Sequence, residues 1–192
     1  FRGGAGGVRN VTLAEALART DPDAFARPTK GDDTLIGSEA RDEIRGFRGD
    51  DVVDGGDDRD MLWGGRGADT VRGGRDGDAL FGGRGADTLS GGIGNDRLEG
   101  GRGPDELSGG IGGDDFIFAG RFGRDVVKGF EARNDQEDID LSGVAAIEDW
   151  KDLVENHLSK RGKDVLIRDG EGSVIVLEKA NFRQLDAADF IF

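Results

Sequence analysis

GGRGADTLS-GGIGNDRLE-GGRGPDELS, residues 82–108, is three successive blocks of nine with Gly, Gly, Gly and Asp on the same positions each time. Neither a helix nor an ordinary strand has such a period, so the beat belongs to a larger repeating unit. Followed outward, the phase holds without insertion from Pro28 to Ile117, ten blocks of nine. With the template G-G-x-G-x-D-x-U-x, where U is apolar, the sixth position reads Asp33, Asp42, Asp51, Asp60, Asp69, Asp78, Asp87, Asp96, Asp105 and Asp114. The eighth reads Leu35, Ile44, Val53, Leu62, Val71, Leu80, Leu89, Leu98, Leu107 and Phe116. A flexible linker has no reason to keep either position, whereas stacked units that bury a common core do.

Each position has a physical role. Glycine at the first, second and fourth positions lets the backbone turn tightly and enter left-handed conformations, and it lets carbonyl oxygens converge. The aspartate that follows adds a carboxylate, giving an all-oxygen site of the kind a hard cation such as calcium takes, with roughly six to eight ligands. One loop cannot supply that many, so adjacent rungs must share the ion. The last three positions form a short strand with the apolar eighth residue pointing inward.

Bulk composition agrees. The 192 residues are only 35% apolar and carry a formal charge of -14, from 40 acidic and 26 basic residues. Self-repulsion therefore opposes the compact state until counter-charge arrives, and nucleic acid is excluded as an expected partner. With no cysteine, disulfides and thiolate zinc sites are ruled out. No apolar run is long enough for a membrane span. The opening FRGGAGGVRN lacks a methionine and the apolar core of a signal peptide, and it reads as a cut from a longer polypeptide or a processed product.

The repeats divide the chain into three. Residues 1–27 read as a linker with a short helix capping the first rung, because Thr12 stands three residues before Glu15 in a capping-box pattern. Residues 28–117 are the repeats. Residues 118–192 read as a second small unit with its own core that caps the far end, with strands at RDVVKGF, EDIDLSGV, DVLIRD and SVIVLEK. In AIEDWKDLVENHLSKRG, the spacing of Ile147, Trp150, Leu153, Val154 and Leu158 predicts one helix, with Gly162 as its stop.

The repeats resemble the nonapeptide repeats of RTX, or hemolysin-type, calcium-binding proteins. The resemblance implies an all-β fold: a right-handed parallel β-roll, two repeats per turn, with a small β-rich C-terminal cap containing one helix. It implies ligands from carbonyls at the second and fourth positions of one loop, carbonyls at the first and third positions two repeats on, and both aspartates. Applied here, one site uses Gly65, Gly67 and Asp69 with Gly82, Arg84 and Asp87; the next uses Gly83, Gly85 and Asp87 with Gly100, Arg102 and Asp105. Ten repeats then give up to eight calcium sites, since the last two have no later partner. The fourth position departs from glycine at Ala40, Asp58 and Asp76, all in even-numbered repeats. Tighter sites are therefore expected along the odd column (Asp51, Asp69, Asp87, Asp105), and the weakest in the first two repeats, which carry Pro28-Thr29 and Gly37-Ser38. FIFAGRFGRDVVKGF, DQEDIDLSGV and the terminal LDAADFIF resemble the C-terminal region of serralysin-type proteases. There, an acidic residue before a few apolar ones at the C-terminus accompanies type I secretion, and Asp189-Phe190-Ile191-Phe192 matches that form.

Catalytic signatures are missing from the sequence. Its single histidine, His157, excludes a HExxH zinc helix and is expected to pack beside the helix's apolar stripe. GxSxG and phosphate-loop motifs are absent. Paired carboxylates such as Asp32-Asp33, Asp50-Asp51 and Asp114-Asp115 have the chemistry for acid/base work, but in register they read as ligands. The seventh position, from Thr34 and Glu43 to Asp115, lacks the threonine file of an ice-binding face. Arginine recurs at the third position (Arg48, Arg66, Arg75, Arg84, Arg102), either as charge compensation or as a stripe for an anionic surface polysaccharide. The resulting expectation is a non-catalytic, extracellular module of a secreted bacterial protein, folding on calcium and working with type I secretion machinery. A C-terminal piece of a protease, lipase, glycanase or alginate epimerase, and a carbohydrate-recognition module, stand as alternatives.

Overall fold

Residues eighteen apart lie side by side, because two nonapeptides complete one turn. In the computed structural model, which describes residues 9–12, 28–131 and 137–192, Glu43 pairs with Met61, Met61 with Ala79 and Ala79 with Arg97, all in parallel. Each strand takes the last three positions of one repeat and the first three of the next, so successive strands fall alternately on two sheets. One sheet contains β2 (Asp33–Ile36), β4 (Val52–Gly56), β6 (Thr70–Arg75), β8 (Thr88–Ile93), β10 (Glu106–Ile111) and β12 (Arg124–Lys128) in that order. The other contains β3 (Glu43–Arg48), β5 (Met61–Arg66), β7 (Ala79–Arg84), β9 (Arg97–Arg102), β11 (Asp115–Ala119) and β13 (Asp138–Gly143). The result is a parallel β-roll.

Its core is the eighth position. Leu62, Leu80, Leu98, Leu107 and Phe116 are fully buried between the sheets, as are Val53 and Val71. Each such burial contributes roughly 1.5–3 kcal/mol. Since the side-chain period of a strand is two, the seventh and ninth residues face out.

At one end, β1 (Arg9–Thr12) pairs in parallel with β2. Thr12 thus ends a strand, and the helix expected after it lies outside the described residues. At the other end both sheets continue past residue 117. β16 (Val174–Glu178) pairs in parallel with β12, and β17 (Phe190–Ile191) with β13. The apolar cluster runs from Leu35 to Phe190 without a break, so the core expected to start again at residue 118 is an extension of the roll's own. β15 (Asp164–Arg168) and β14 (Leu158–Arg161) turn antiparallel beyond β16 and finish that sheet with a charged edge strand, a device that discourages further pairing.

The expected helix is shorter than its pattern. Helix α1 (Trp150–Asp152) starts at Asp149, whose carboxylate accepts the Asp152 N–H at 2.8 Å, and continues as one wide turn, Leu153–His157. Leu158 then pairs with Ile167 as strand, Gly162 sits in the β14–β15 turn with φ 67°, and Val154 is exposed. Ile147 and Leu153 do reach the core. Sheet pairing overrides helical periodicity here.

Candidate metal centres

The sixth-position aspartates stack one above another in two files. Along the odd repeats, Asp33 N–H donates to Asp51 Oδ1, Asp51 to Asp69, Asp69 to Asp87 and Asp87 to Asp105, at 2.8–2.9 Å. Along the even repeats, Asp42 donates to Asp60, Asp60 to Asp78, Asp78 to Asp96 and Asp96 to Asp114, at 2.7–2.9 Å. One carboxylate oxygen of each from Asp51 to Asp114 is therefore used to tie rungs together. All ten sequence-predicted aspartates fall in these files, buried except for half-buried Asp42.

The other oxygen is the informative one. Oδ2 of Asp51, Asp60, Asp69, Asp78, Asp87, Asp96, Asp105 and Asp114 is buried and accepts no hydrogen bond. A buried polar oxygen left this way costs about 1–3 kcal/mol, more when charged, and eight in register point to a missing partner.

Glycine geometry shows where that partner would sit. A Cβ built on Gly82 would lie 2.6 Å from both Asp87 Oδ2 and Gly100 O; on Gly46, 2.4 Å from Asp51 Oδ2 and 2.5 Å from Gly64 O. A carboxylate and the first-position carbonyl two repeats on thus converge where no side chain fits. Carbonyls of Gly65 and Gly67 point at the next loop, 2.3 and 1.7 Å from where Cβ atoms of Gly83 and Gly85 would be. Arg84 O and Arg102 O each accept one N–H, from Gly67 and Gly85 at 2.9 Å, and keep a second lone pair. Among the described residues no three carboxylate, imidazole or thiol residues gather. Carbonyls must therefore complete any coordination sphere, which is the donor chemistry of calcium rather than zinc.

Electrostatics points the same way. Burial, assisted by neighbouring carboxylates, pushes Asp51 and Asp60 up to about 6, and Asp78 and Asp87 up to about 7. Burial likewise pushes Asp105 upward. The folded loops without counter-charge thus resist the ionised state of the groups that line them.

The loops are not equivalent. In the first two repeats the hydroxyl residue at the second position occupies the free oxygen: Asp33 Oδ2 accepts Thr29 N–H (2.6 Å) and Oγ1–H (3.0 Å), and Asp42 Oδ2 accepts Ser38 N–H (2.6 Å) and Oγ–H (3.0 Å). At the fourth position, odd-repeat Gly49, Gly67, Gly85 and Gly103 take φ from 113° to 141°, while Asp58 and Asp76 are held near 70°. Ala40 is not left-handed at all. Fifth-position carboxylates are structural too, Asp50 Oδ1 accepting Ala68 N–H at 2.7 Å.

Sequence reasoning missed two residues. Asp125 extends the odd file: its Oδ1 accepts Asp105 N–H at 3.0 Å, its Oδ2 is unpartnered, and the residue is fully buried, which with the Asp105 and Asp87 charges pushes it up to about 8. Phe122 O accepts Gly103 N–H and Gly123 is left-handed, so Gly120–Lys128 is an eleventh repeat displaced by a two-residue insertion. GRFGRDVVK carried that signal once the frame was allowed to slip, and Asp105 does have the later partner denied to it. The second is Phe47, at a second position held by glycine in every later one of the ten repeats, with φ 76° and 54% exposure. His157 Nδ1 meets Arg168 O at 2.5 Å and its Nε2 lies 3.3 Å from Asp152 Oδ2.

Parallel rungs stacked around two files of inward carboxylates define a calcium-type β-roll. The family model described as the RTX calcium-binding nonapeptide repeat (4 copies) matches residues 29–62, 54–89, 63–98 and 90–123, and this stretch of the chain belongs to that family of calcium-binding repeats. The chain is also similar to a number of solved structures, among them those of two proteins. One is the extracellular lipase LipA from Serratia marcescens, at 18% identity and TM-score 0.38, covering 86% of this chain and 39% of the lipase. The other is the AlgE6R3 subunit of the Azotobacter vinelandii mannuronan C5-epimerase, at 26% identity and TM-score 0.46, covering 82% of this chain and 81% of the subunit. The chain thus spans well under half the length of the lipase. No curated protein matches it.

Proposed function

We propose that this chain is a non-catalytic, calcium-dependent folding module of a secreted bacterial protein. The observation that carries the reading is the double file of buried Oδ2 atoms without partners. Without calcium, carboxylates of raised pKa and a charge of -14 favour the open chain. With calcium, binding free energy becomes folding free energy. Asp69 with Asp87, and Asp87 with Asp105, would hold ions with the carbonyls of Gly65, Gly67, Gly82 and Arg84, and of Gly83, Gly85, Gly100 and Arg102. Asp125 would add a site beyond the ten repeats. The fourth position is a left-handed glycine in every odd repeat from the third onward but only at Gly94 and Gly112 among the even ones, which supports tighter binding along the odd file, and the Thr29 and Ser38 hydroxyls support the weakest binding in the first two repeats. Export as an open chain by type I secretion machinery, followed by folding outside the cell, suits this coupling.

The test is a calcium titration read by far-UV circular dichroism, with magnesium as control and bound ions counted by calorimetry. The expected result is a cooperative gain of β-structure with calcium alone at several ions per chain. A folded spectrum in chelator, unchanged by calcium, overturns the proposal.

A further inference from the structure

The roll separates the third-position arginines. Arg48, Arg66, Arg84 and Arg102 pair in register on adjacent strands β3, β5, β7 and β9, whereas Arg75 lies on β6 of the other sheet, 3.6 Å from Asp57. All four in the file are exposed, and none has an ion-pair partner among the described residues. Parallel strands place such side chains about 4.8 Å apart, where like charges repel. In a chain of net charge -14, this is a strip of concentrated positive charge.

A second file runs beside it at the ninth position: Arg45, Trp63, Phe81 and Glu99, again in register. Trp63 and Phe81 stack at 5.4 Å and 11°, and the Arg45 guanidinium lies 4.4 Å from the Trp63 ring centre. Between the files the second-position residues Gly65, Gly83 and Gly101 leave a floor without side chains. Two clefts share the stretch Gly83-Arg84; one extends to Phe47 and Trp63, the other to Glu99, Arg102 and Arg121. Together they form a groove along the roll axis, with aromatic residues on one wall and arginines on the other.

We propose that this groove binds a linear acidic polysaccharide, with carboxylates facing the arginine file and the apolar C–H surfaces of the sugars against Trp63 and Phe81. Arg presents a fork of donors that fits a carboxylate, the file repeats on the scale of one sugar ring, and Glu99 accepts from sugar hydroxyls. Single-stranded nucleic acid fits less well, since its recognition needs free aromatic faces for base stacking. Phe81 covers one face of Trp63, and Arg45, from the strand on its other side, lies over the same ring, so Trp63 offers no open face to a base.

The test uses the calcium-saturated protein with a galacturonic acid hexamer as probe, maltohexaose as neutral control and a thymidine hexanucleotide as phosphate polymer, read by calorimetry at fixed free calcium. The expected result is binding of the hexauronide alone, weakened at least tenfold in Trp63→Ala and in Arg66→Ala/Arg84→Ala, and within twofold of the parent in Arg72→Ala/Arg75→Ala on the opposite sheet. No binding of the hexauronide, equal binding of maltohexaose, tighter binding of the oligonucleotide, or equal loss in the opposite-sheet variant each overturns the proposal. The calcium midpoint of every variant is measured separately by circular dichroism, so a failure to fold is distinguished from a failure to bind sugar.

Discussion

The two sides of the roll are built from the same nonapeptide, yet they differ in what they carry. The outer face of the β3–β5–β7–β9 sheet bears the arginine and aromatic files, and the loops that leave these strands for the other sheet are the odd-repeat ones, shaped by fourth-position glycines and closing with a fifth carboxylate pair, Asp105 with Asp125 on β12. The outer face of the β4–β6–β8–β10 sheet reads Asp54, Arg72, Ser90 and Ser108 at the ninth position, with Ile93 and Ile111 exposed at the third, and the loops that leave these strands for the other sheet are the even-repeat ones, two of them strained by Asp58 and Asp76. The inward positions are common to both. Stacking therefore constrains the first, second, fourth, sixth and eighth positions on both sides and leaves the third, seventh and ninth free to make the sides different.

Calcium removal is the largest perturbation. Amide exchange followed while free calcium is lowered should show every protected amide of the repeats lost, those of even-repeat loops before those of odd-repeat loops. Simultaneous opening would break the asymmetry. Next in size is the shared core: Leu80→Ala and Leu89→Ala, on opposite sides, should each cost about 3 kcal/mol in urea unfolding with calcium present. Costs that differ severalfold would mean that the sides are energetically separate.

Smaller effects sharpen the comparison of the files. Asp87→Asn keeps an acceptor for the Asp69 N–H but removes the charge; it should raise the calcium midpoint about tenfold, equivalent to about 1.4 kcal/mol, and Asp78→Asn should raise it less. An equal shift would count against the odd file as the tighter one. Asp76→Gly should lower the midpoint modestly by relieving a left-handed non-glycine residue, and an increase would show that its carboxylate helps hold the ion. The mildest effect is pH dependence in chelator. Asp51, Asp60 and Asp96 are pushed up to about 6, Asp78 and Asp87 to about 7 and Asp125 to about 8, above an ordinary value of 3.8. A raised folded pKa means stability present below the unfolded pKa and lost as pH rises through the folded one. Residual β-structure of the metal-free chain should therefore grow on acidification from pH 8 toward 4, while the calcium midpoint rises because protons compete for the carboxylates. Loss of β-structure on acidification in chelator would contradict the burial of these groups.

The repeating half was legible because its constraints are local and periodic. A Cβ at Gly82 or Gly85 would strike an oxygen, so the sequence must show glycine, and the eighth position must be apolar because it alone faces the core. The two files of aspartates followed directly from position. Asp125 escaped because two inserted residues shift the frame while the backbone still brings Phe122 and Gly123 into the stack. The helix was overdrawn because Leu158 fits a helical stripe equally well, and pairing with Ile167, a contact made across a turn, decided its state. The sequence by itself determined the roll, its core and its carboxylates, each of which recurs at a fixed interval along the chain. Only the tertiary structure decided where the stack ends and which carboxylate oxygens lack a partner, since these depend on residues brought together from separate turns.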